Sequence, residues 1–424
     1  MKLLFVFMVS LLCTRMVNAQ TYSIVIKDGN VIDPKNNIVD VMDVAINDGK
    51  IVKVAKNIDA KGAAQVIDAK GLYVTPGLID IHTHDFFGTE PDHYLSNGLV
   101  AVMPDGFTFR VGVTTVVDAG GSGWKSFALF KKNIINNSQT RVLAMLNVVG
   151  EGMRGGMYEQ NTKDMNPKMI AMVAKANRDV IVGIKVAHFE GHEWTAVDSA
   201  VVAGNMANIP VMVDFGSANA PLPIEELFMK HLRPGDIFTH CYGNLKGREA
   251  IVDETTNTVK PFVFEARKRG LFFDVGYGGI SFRFSQAIPA LKQGFIPTSI
   301  STDLHEESTN GAMKDQLTCM SKFLAMGMDL PAVIKASTMN PALEIKREDL
   351  GNLSVGSGAD VAILNLRHGK FGYFDYTGYK ISYDKKLECE MTIRAGRIVY
   401  DVNGIANPVM VPGKPAKNEK PSIH

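Results

Sequence analysis

The chain carries no surplus of charge: 45 lysines and arginines face 44 aspartates and glutamates, a formal net charge of +1. No long basic run occurs either, so nucleic acid and acidic membrane surfaces gain no electrostatic support as partners. Cysteine is scarce, four in 424 residues. Cys13 lies just past the N-terminal apolar run, and Cys241, Cys319 and Cys389 form no CxxC pair. An odd set without paired spacing excludes a disulfide framework and a thiolate metal site, and leaves each as a small apolar core residue. After the N-terminal run, no stretch of membrane-spanning length is free of charge. No GxGxxG loop follows the first apolar run of the middle region, which argues against a doubly wound nucleotide-binding sheet. There is no internal sequence repeat, and no Ser/His/Asp or Cys/His nucleophile pattern.

What the chain does have is enough apolar residue, 46%, to bury one large domain and a small one. The N-terminus reads as a secretory signal: Lys2, an apolar run over 3–12, then Val17-Asn18-Ala19 before Gln20. Cleavage after Ala19 would leave the mature chain periplasmic or secreted, with no membrane association. Leu12, before Cys13, is too bulky for a lipid-attachment site. The opposite end, 408–424, is Pro/Lys-rich and reads as a tail.

Between these ends the texture changes twice. Residues 20–74 hold short strand-like runs (22–26, 43–46, 51–55, 65–68) with turn signals at Asp28-Gly29 and Asp48-Gly49. Residues 346–407 repeat that texture (360–364, 390–394, 397–401), so the two ends are expected to pair into one small β-sandwich domain. Residues 75–345 instead hold eight apolar runs, at 78–84, 113–119, 141–149, 180–188, 210–216, 236–242, 271–277 and 298–305. Continuous apolar runs suit parallel strands buried on both faces. Helical segments at 168–178, 196–208, 261–269 and 314–328 separate several of them. The alternation predicts an α/β fold, a (β/α)8 TIM barrel.

Active sites of such barrels lie at the C-terminal strand ends. The first strand ends in Asp80-Ile81-His82-Thr83-His84. His82 and His84, two apart on an extended strand, point to one side and make half of a metal site. The fourth carries Lys185 inside Val182-Gly183-Ile184-Lys185-Val186, where a charged amine is costly unless neutralised or paired. A neutral amine there could form a carbamate with carbon dioxide and bridge two metal ions. The sixth ends in Thr239-His240 and the eighth in Thr302-Asp303-Leu304-His305. A histidine and an aspartate complete an N/O set suited to zinc or a similar divalent ion. Weaker candidates for substrate contact are His188, with His192 on the same loop, Arg154 after the third strand, Arg283 and Tyr277 at the seventh, and His305.

The stretches YVTPGLIDIHTH, VGIKV, FTH, STDLH and STMNPA…LGNLSVGSGADVAIL resemble the amidohydrolase superfamily, and its deacetylase and dihydroorotase-like branch in particular. The resemblance spans nearly the whole mature chain. It implies one or two divalent metal ions, zinc in the first place, held by His82, His84, His240 and Asp303 and bridged by carboxylated Lys185. It implies Asp303 as proton shuttle, and hydrolysis of an amide-like or ester bond in a small molecule by metal-bound hydroxide. Where the family has a histidine ending the fifth strand, this sequence has Asp214, which can ligate through oxygen. Phosphotriester cleavage and a non-catalytic barrel scaffold are the competing readings, and a homo-oligomer is compatible with the family.

Overall fold

The computed structural model describes residues 22–87, 101–214 and 221–407. The expected signal and tail lie outside these residues. Two sheets organise the rest. The first is mixed and eight-stranded. Its N-terminal strands are β1 (Ile24–Asp33), β2 (Ile38–Asn47), β3 (Lys50–Ala55), β4 (Gln65–Asp68) and β5 (Tyr73–Pro76). The second sheet is parallel, with β6 (Leu78–Thr83), β7 (Val113–Ala119), β8 (Arg141–Asn147), β9 (Ile181–Val186), β10 (Val211–Val213) and β11 (Ile237–Phe238). After a small hairpin of β12 (Val252–Asp253) and β13 (Thr258–Val259), β14 (Phe272–Phe273) completes the parallel sheet. The chain then returns to the mixed sheet through β15 (Val361–Phe374), β16 (Lys380–Arg394) and β17 (Arg397–Asp401).

The parallel sheet runs β14-β11-β10-β9-β8-β7-β6, seven strands in reverse sequence order. Its inner strands are mostly apolar and, but for part-buried Arg141 in β8, buried along their length, as in β9, Ile181-Val182-Gly183-Ile184-Lys185-Val186. That burial on both faces is why the runs were continuous rather than alternating. The eighth expected strand, 298–305, forms no strand. It makes two isolated bridges instead, Asp274 to Ser299 and Thr83 to Leu304. These tie it to both edges of the sheet, β14 on one side and β6 on the other. Its bonding is shared with side chains, so a ladder never forms.

Helices pack between the strands and have identifiable stops and starts. Asn166 caps Pro167–Ala176, accepting from the backbone of Lys168 and Met169, a favoured N-cap geometry with proline at the first position. Asp315 and Asp329 cap Gln316–Ala325 and Leu330–Lys335 in the same way. Thr195–Ala207 ends at Asn208 in the left-handed region. Among the described residues no helix is long and apolar enough to cross a membrane.

The mixed sheet joins both chain ends, β15 pairing with β5 and β16 with β17. The hairpin β15–β16 is much longer than the runs 360–364 and 390–394 expected from the sequence. Its distal half alternates Phe371/Tyr373 and Ile381/Tyr383 with exposed residues, a short signal broken by Gly369, Gly372 and Gly378. Its tip folds back on two helices: Asp375 accepts from the backbone of Phe284 at the start of Phe284–Lys292 (2.8 Å), and Lys322 Nζ, in Gln316–Ala325, donates to the Phe374 carbonyl (2.9 Å).

Candidate metal centre

Six residues singled out in the sequence converge at the C-terminal ends of the parallel strands. His82 and His84 lie at the end of β6, Lys185 in β9 and Asp214 just past β10. His240 follows β11, and Asp303 lies within the bridging segment 298–305. All six are buried. Lys185 Nζ stands 2.8 Å from His82 Nε2, and His84 Nε2 stands 2.8 Å from Asp303 Oδ1. His82 Nε2 and Asp303 Oδ1 are 3.5 Å apart, and His240 Nε2 and Asp214 Oδ2 are 3.2 Å apart. Ligand atoms of His82, His240 and Asp303 all fall within 4.8 Å of one another.

Neighbours fix the tautomers of two of these imidazoles. Thr239 Oγ1 donates to Asp274 Oδ2 (2.7 Å), so it must accept from His82 Nδ1 (2.9 Å). The Gly276 carbonyl can only accept from His240 Nδ1 (2.5 Å). Both Nε2 atoms turn inward: that of His82 stands 2.8 Å from Lys185 Nζ and 3.5 Å from Asp303 Oδ1, and that of His240 stands 3.2 Å from Asp214 Oδ2. Imidazole nitrogens and carboxylate oxygens converging on one buried region make a donor set that a cation can join. The Nδ1 of His84 is buried without a hydrogen-bond partner among the described residues. The donor set thus fits a divalent cation, with hard oxygen and borderline nitrogen ligands.

The electrostatics agree. Burial, with the Lys185 charge adding to it, drives the His82 pKa down to about 3, which keeps its ring neutral. Burial also lowers Lys185 against the pull of Asp214, Asp303 and Asp274, favouring the neutral amine. For Asp303 burial acts upward, but His82, His305 and His84 outweigh it and hold the carboxyl well below its usual range. Asp214 is likewise held low, against burial, by His240 and Arg248.

The backbone here is unusual. His240 and Asp303 occupy the left-handed region at φ 54° and 52°, a strained conformation that concentrates at functional sites. Two glycines make room for it. A Cβ on Gly276 (φ 46°) would stand 2.3 Å from Thr239 Oγ1 and 2.8 Å from His240 Nδ1. One on Gly278 (φ 60°) would stand 2.4 Å from Asp303 Oδ2.

The weaker candidates divide. His188, half exposed and at φ 51°, pairs through Nδ1 with buried Glu159 (2.9 Å), and its Nε2 lies 3.7 Å from Asp214. His305 Nδ1 bonds the Asp303 carbonyl (2.7 Å). Arg154 lies over the Tyr158 ring, with Nη1 3.4 Å from Glu151, and His192 is exposed on the loop after β9. Tyr277 and Arg283 turn to the hairpin tip instead. The Tyr277 hydroxyl donates to the Phe374 carbonyl (3.3 Å) and accepts from Lys322 (2.6 Å), while Arg283 Nε donates to the Tyr376 hydroxyl (2.7 Å). A polar side chain reaches the nearest acceptor, and β15 supplies one that no local reading could place there. Sequence reasoning missed Arg248, which is buried and pairs with Asp214 Oδ1. It lies in a loop, where no periodicity marks it.

No family model matches the chain. A deacetylase from Brucella anthropi is 34% identical over 330 residues, 75% of this chain and 78% of that one. A deacetylase from Enterococcus faecalis is 29% identical over 393 residues, 90% of this chain and 99% of its own. A dihydroorotase from Streptococcus thermophilus is 47% identical over 87 residues, 20% of each chain. Among solved structures, an adenine deaminase superposes with a TM-score of 0.80 at 28% identity, over 90% of this chain and 100% of that one. A dihydroorotase does so with 0.77 at 27% identity, over 89% and 99%.

Proposed function

We propose a function on the premise that this chain belongs to the amidohydrolase superfamily, as its deacetylase relatives place it. It is a metal-dependent hydrolase of amides or cyclic amides, acting on carbon–nitrogen bonds other than peptide bonds. Phosphotriester cleavage and a non-catalytic scaffold are not favoured. Our reading adds the detail. The parallel sheet and segment 298–305 form a (β/α)8 barrel, and the mixed sheet a small β-domain built from both chain ends. The leader ending at Ala19 exports the chain.

His82, His84, Lys185, His240, Asp303 and Asp214 would hold one or two divalent ions, zinc in the first place, with Lys185 carboxylated. The observation that carries this is the buried convergence of His82, His240 and Asp303, whose ligand atoms all lie within 4.8 Å of one another. When bound, the metal acidifies water and polarises the substrate carbonyl. Asp303 accepts the proton of the attacking water at its carboxylate and returns it to the leaving nitrogen. His84, 2.8 Å from Asp303 Oδ1, orients that carboxylate. Buried Lys185 and its apolar neighbours in β9 keep bulk water from beneath the reacting centre.

The test is a screen of N-acyl amino acids, acylated hydroxy acids and cyclic amides with metal-replete protein and its Asp303→Asn variant. Turnover by the parent should fall roughly 10²–10⁴-fold in the variant, the usual contribution of a general base. A variant that turns over like the parent would remove Asp303 from the mechanism.

A further inference from the structure

Asp274 follows β14, is fully buried, and takes three hydroxyls on its carboxylate. Thr239 Oγ1 and Ser301 Oγ donate to Oδ2 (2.7 Å each), and Ser299 Oγ donates to Oδ1 (2.6 Å). A hydroxyl has one proton, so each of the three must accept from whatever else it meets. Thr239 accepts from His82 Nδ1 (2.9 Å). Ser301 accepts from the backbone N–H of Gly276 (2.9 Å), and the Gly276 carbonyl accepts from His240 Nδ1 (2.5 Å). One carboxylate therefore stands behind both imidazoles, through Thr239 to His82 and through Ser301 and Gly276 to His240. The third hydroxyl leads away from the cluster. Ser299 Oγ lies 3.1 Å from Oε2 of buried Glu344, at the end of the helix Met339–Glu344. The shorter contact with Asp274 takes the serine proton, so the Glu344 carboxyl is the donor here and is neutral. Burial, with the Asp274 charge adding to it, holds that carboxyl well above its usual range. Its other oxygen is buried without a hydrogen-bond partner among the described residues, which is tolerable for the carbonyl of an acid and costly for an anion.

We propose that Asp274 is the common positioning residue of the metal centre, setting the orientation of His82 and His240 together, with Glu344 as the proton donor that completes the network from the far side of Ser299. This rests on the metal-dependent hydrolase reading above and adds two residues behind the ligands. Hydrogen bonds along such a chain polarise one another. Donation by Glu344 makes Ser299 a better donor to Asp274. The Asp274 charge in turn holds Thr239 and Ser301 with their lone pairs toward His82 Nδ1 and the Gly276 N–H. An imidazole anchored at Nδ1 presents a better-aimed and more basic Nε2 to a cation. Asparagine at position 274 would turn an amide NH2 toward hydroxyls that donate, so at least one of them must flip and release what it holds.

The experiment measures zinc affinity of the full protein by competition with a chromophoric chelator, and records the visible absorption of its cobalt-loaded form. Asp274→Asn should bind zinc about 10–100-fold more weakly, the usual cost of losing an outer partner of a ligand, and should shift the cobalt spectrum. Glu344→Leu should lose less, up to about 10-fold, and Glu344→Gln, still a neutral donor, should recover the parent affinity. The infrared difference between parent and Glu344→Gln should show the carbonyl band of a protonated acid. Thr239→Val and Ser301→Ala each cut one branch, should each weaken zinc binding, and decide the matter if Asp274→Asn does not fold. A folded Asp274→Asn with the parent's zinc affinity and cobalt spectrum overturns the proposal. So does parental zinc affinity in both branch variants. Absence of the acid band, or a Glu344→Gln as weak as Glu344→Leu, overturns the part given to Glu344. Zinc binding that depends on Asp274 in a zinc-loaded parent that hydrolyses no amide would instead sink the hydrolase reading and leave the positioning network standing.

Discussion

The two halves of the parallel sheet hold their share of the metal centre by different means. From β6 to β9 the strands run six or seven residues; Lys185 is paired on both sides, and the β6–β7 ladder that carries His82 breaks register only between Leu78 and Ile79 and between Asp80 and Thr83. From β10 through β14 they run only three, two and two residues. There His240 and Asp303 sit in left-handed backbone. Side chains take over the ladder's work in this half. Asp236 accepts from the backbone of Val211 (2.9 Å), and Asp80 from that of Thr302 (3.0 Å). Asp274 gathers the hydroxyls of Thr239, Ser299 and Ser301 at 2.6–2.7 Å. A ladder positions a ligand through many weak, redundant bonds. A carboxylate network positions it through a few strong buried ones, which a single substitution can undo. The half that carries the proposed proton shuttle is the one with less redundancy.

The largest expected effect comes from the regular half, where one side chain would bridge the site. Lys185→Ala should lose bound metal and lower turnover on the order of 10³-fold or more, while the β6–β9 ladder keeps the fold intact. Elemental analysis and circular dichroism check both parts, and short carboxylic acids should restore some activity. Retained metal with full activity would remove Lys185 from the site.

Glycine substitutions break the comparison more directly. Gly276→Ala should destabilise by about 2–4 kcal/mol, combining left-handed strain with the clash against Thr239 Oγ1, and should lower metal content as His240 shifts. In the regular half Gly183→Ala meets only the flexible end of Met145, from 3.0 Å, and should cost about 1 kcal/mol. Denaturant unfolding of the two variants decides it, and equal losses would erase the distinction between the halves.

The smallest effect concerns the outer support of the irregular half. Lys322 fixes the hairpin tip against Tyr277, and burial pulls its pKa down to about 8 from an ordinary 10.5. Between those values the unfolded chain binds a proton that the folded one does not, so stability should rise with pH from about 8 to 10.5. The rise is at most about 3 kcal/mol. Lys322→Met should flatten this rise, read from unfolding midpoints across that range.

The same contrast explains what could be read from the sequence. The long strands announced themselves as continuous apolar runs, and β7 was legible to its ends. His82 and His84 were legible because their alternation on a strand puts both on one face, and Lys185 because charge inside an apolar run is anomalous. The eighth run, 298–305, was visible as apolar but not as a bridging segment, since its bonds go to Asp80 and Asp274 from distant strands. In hairpin residues 366–387 the apolar alternation is limited to Phe371/Tyr373 and Ile381/Tyr383 and is broken by Gly369, Gly372 and Gly378, so the partner that captures Tyr277 and Arg283 was hard to see. Arg248 in turn depends on a loop whose path only tertiary structure determines.

The central claim is that hydrolysis by this chain runs through a divalent metal held by inward-facing His82 and His240 with Asp303. The most direct test strips the purified enzyme with a strong chelator, verifies metal-free protein by elemental analysis, and assays amide hydrolysis before and after adding zinc, manganese or cobalt. Activity should vanish on stripping and return with metal, in proportion to the ion bound per chain. Full activity in verified metal-free protein would contradict the account.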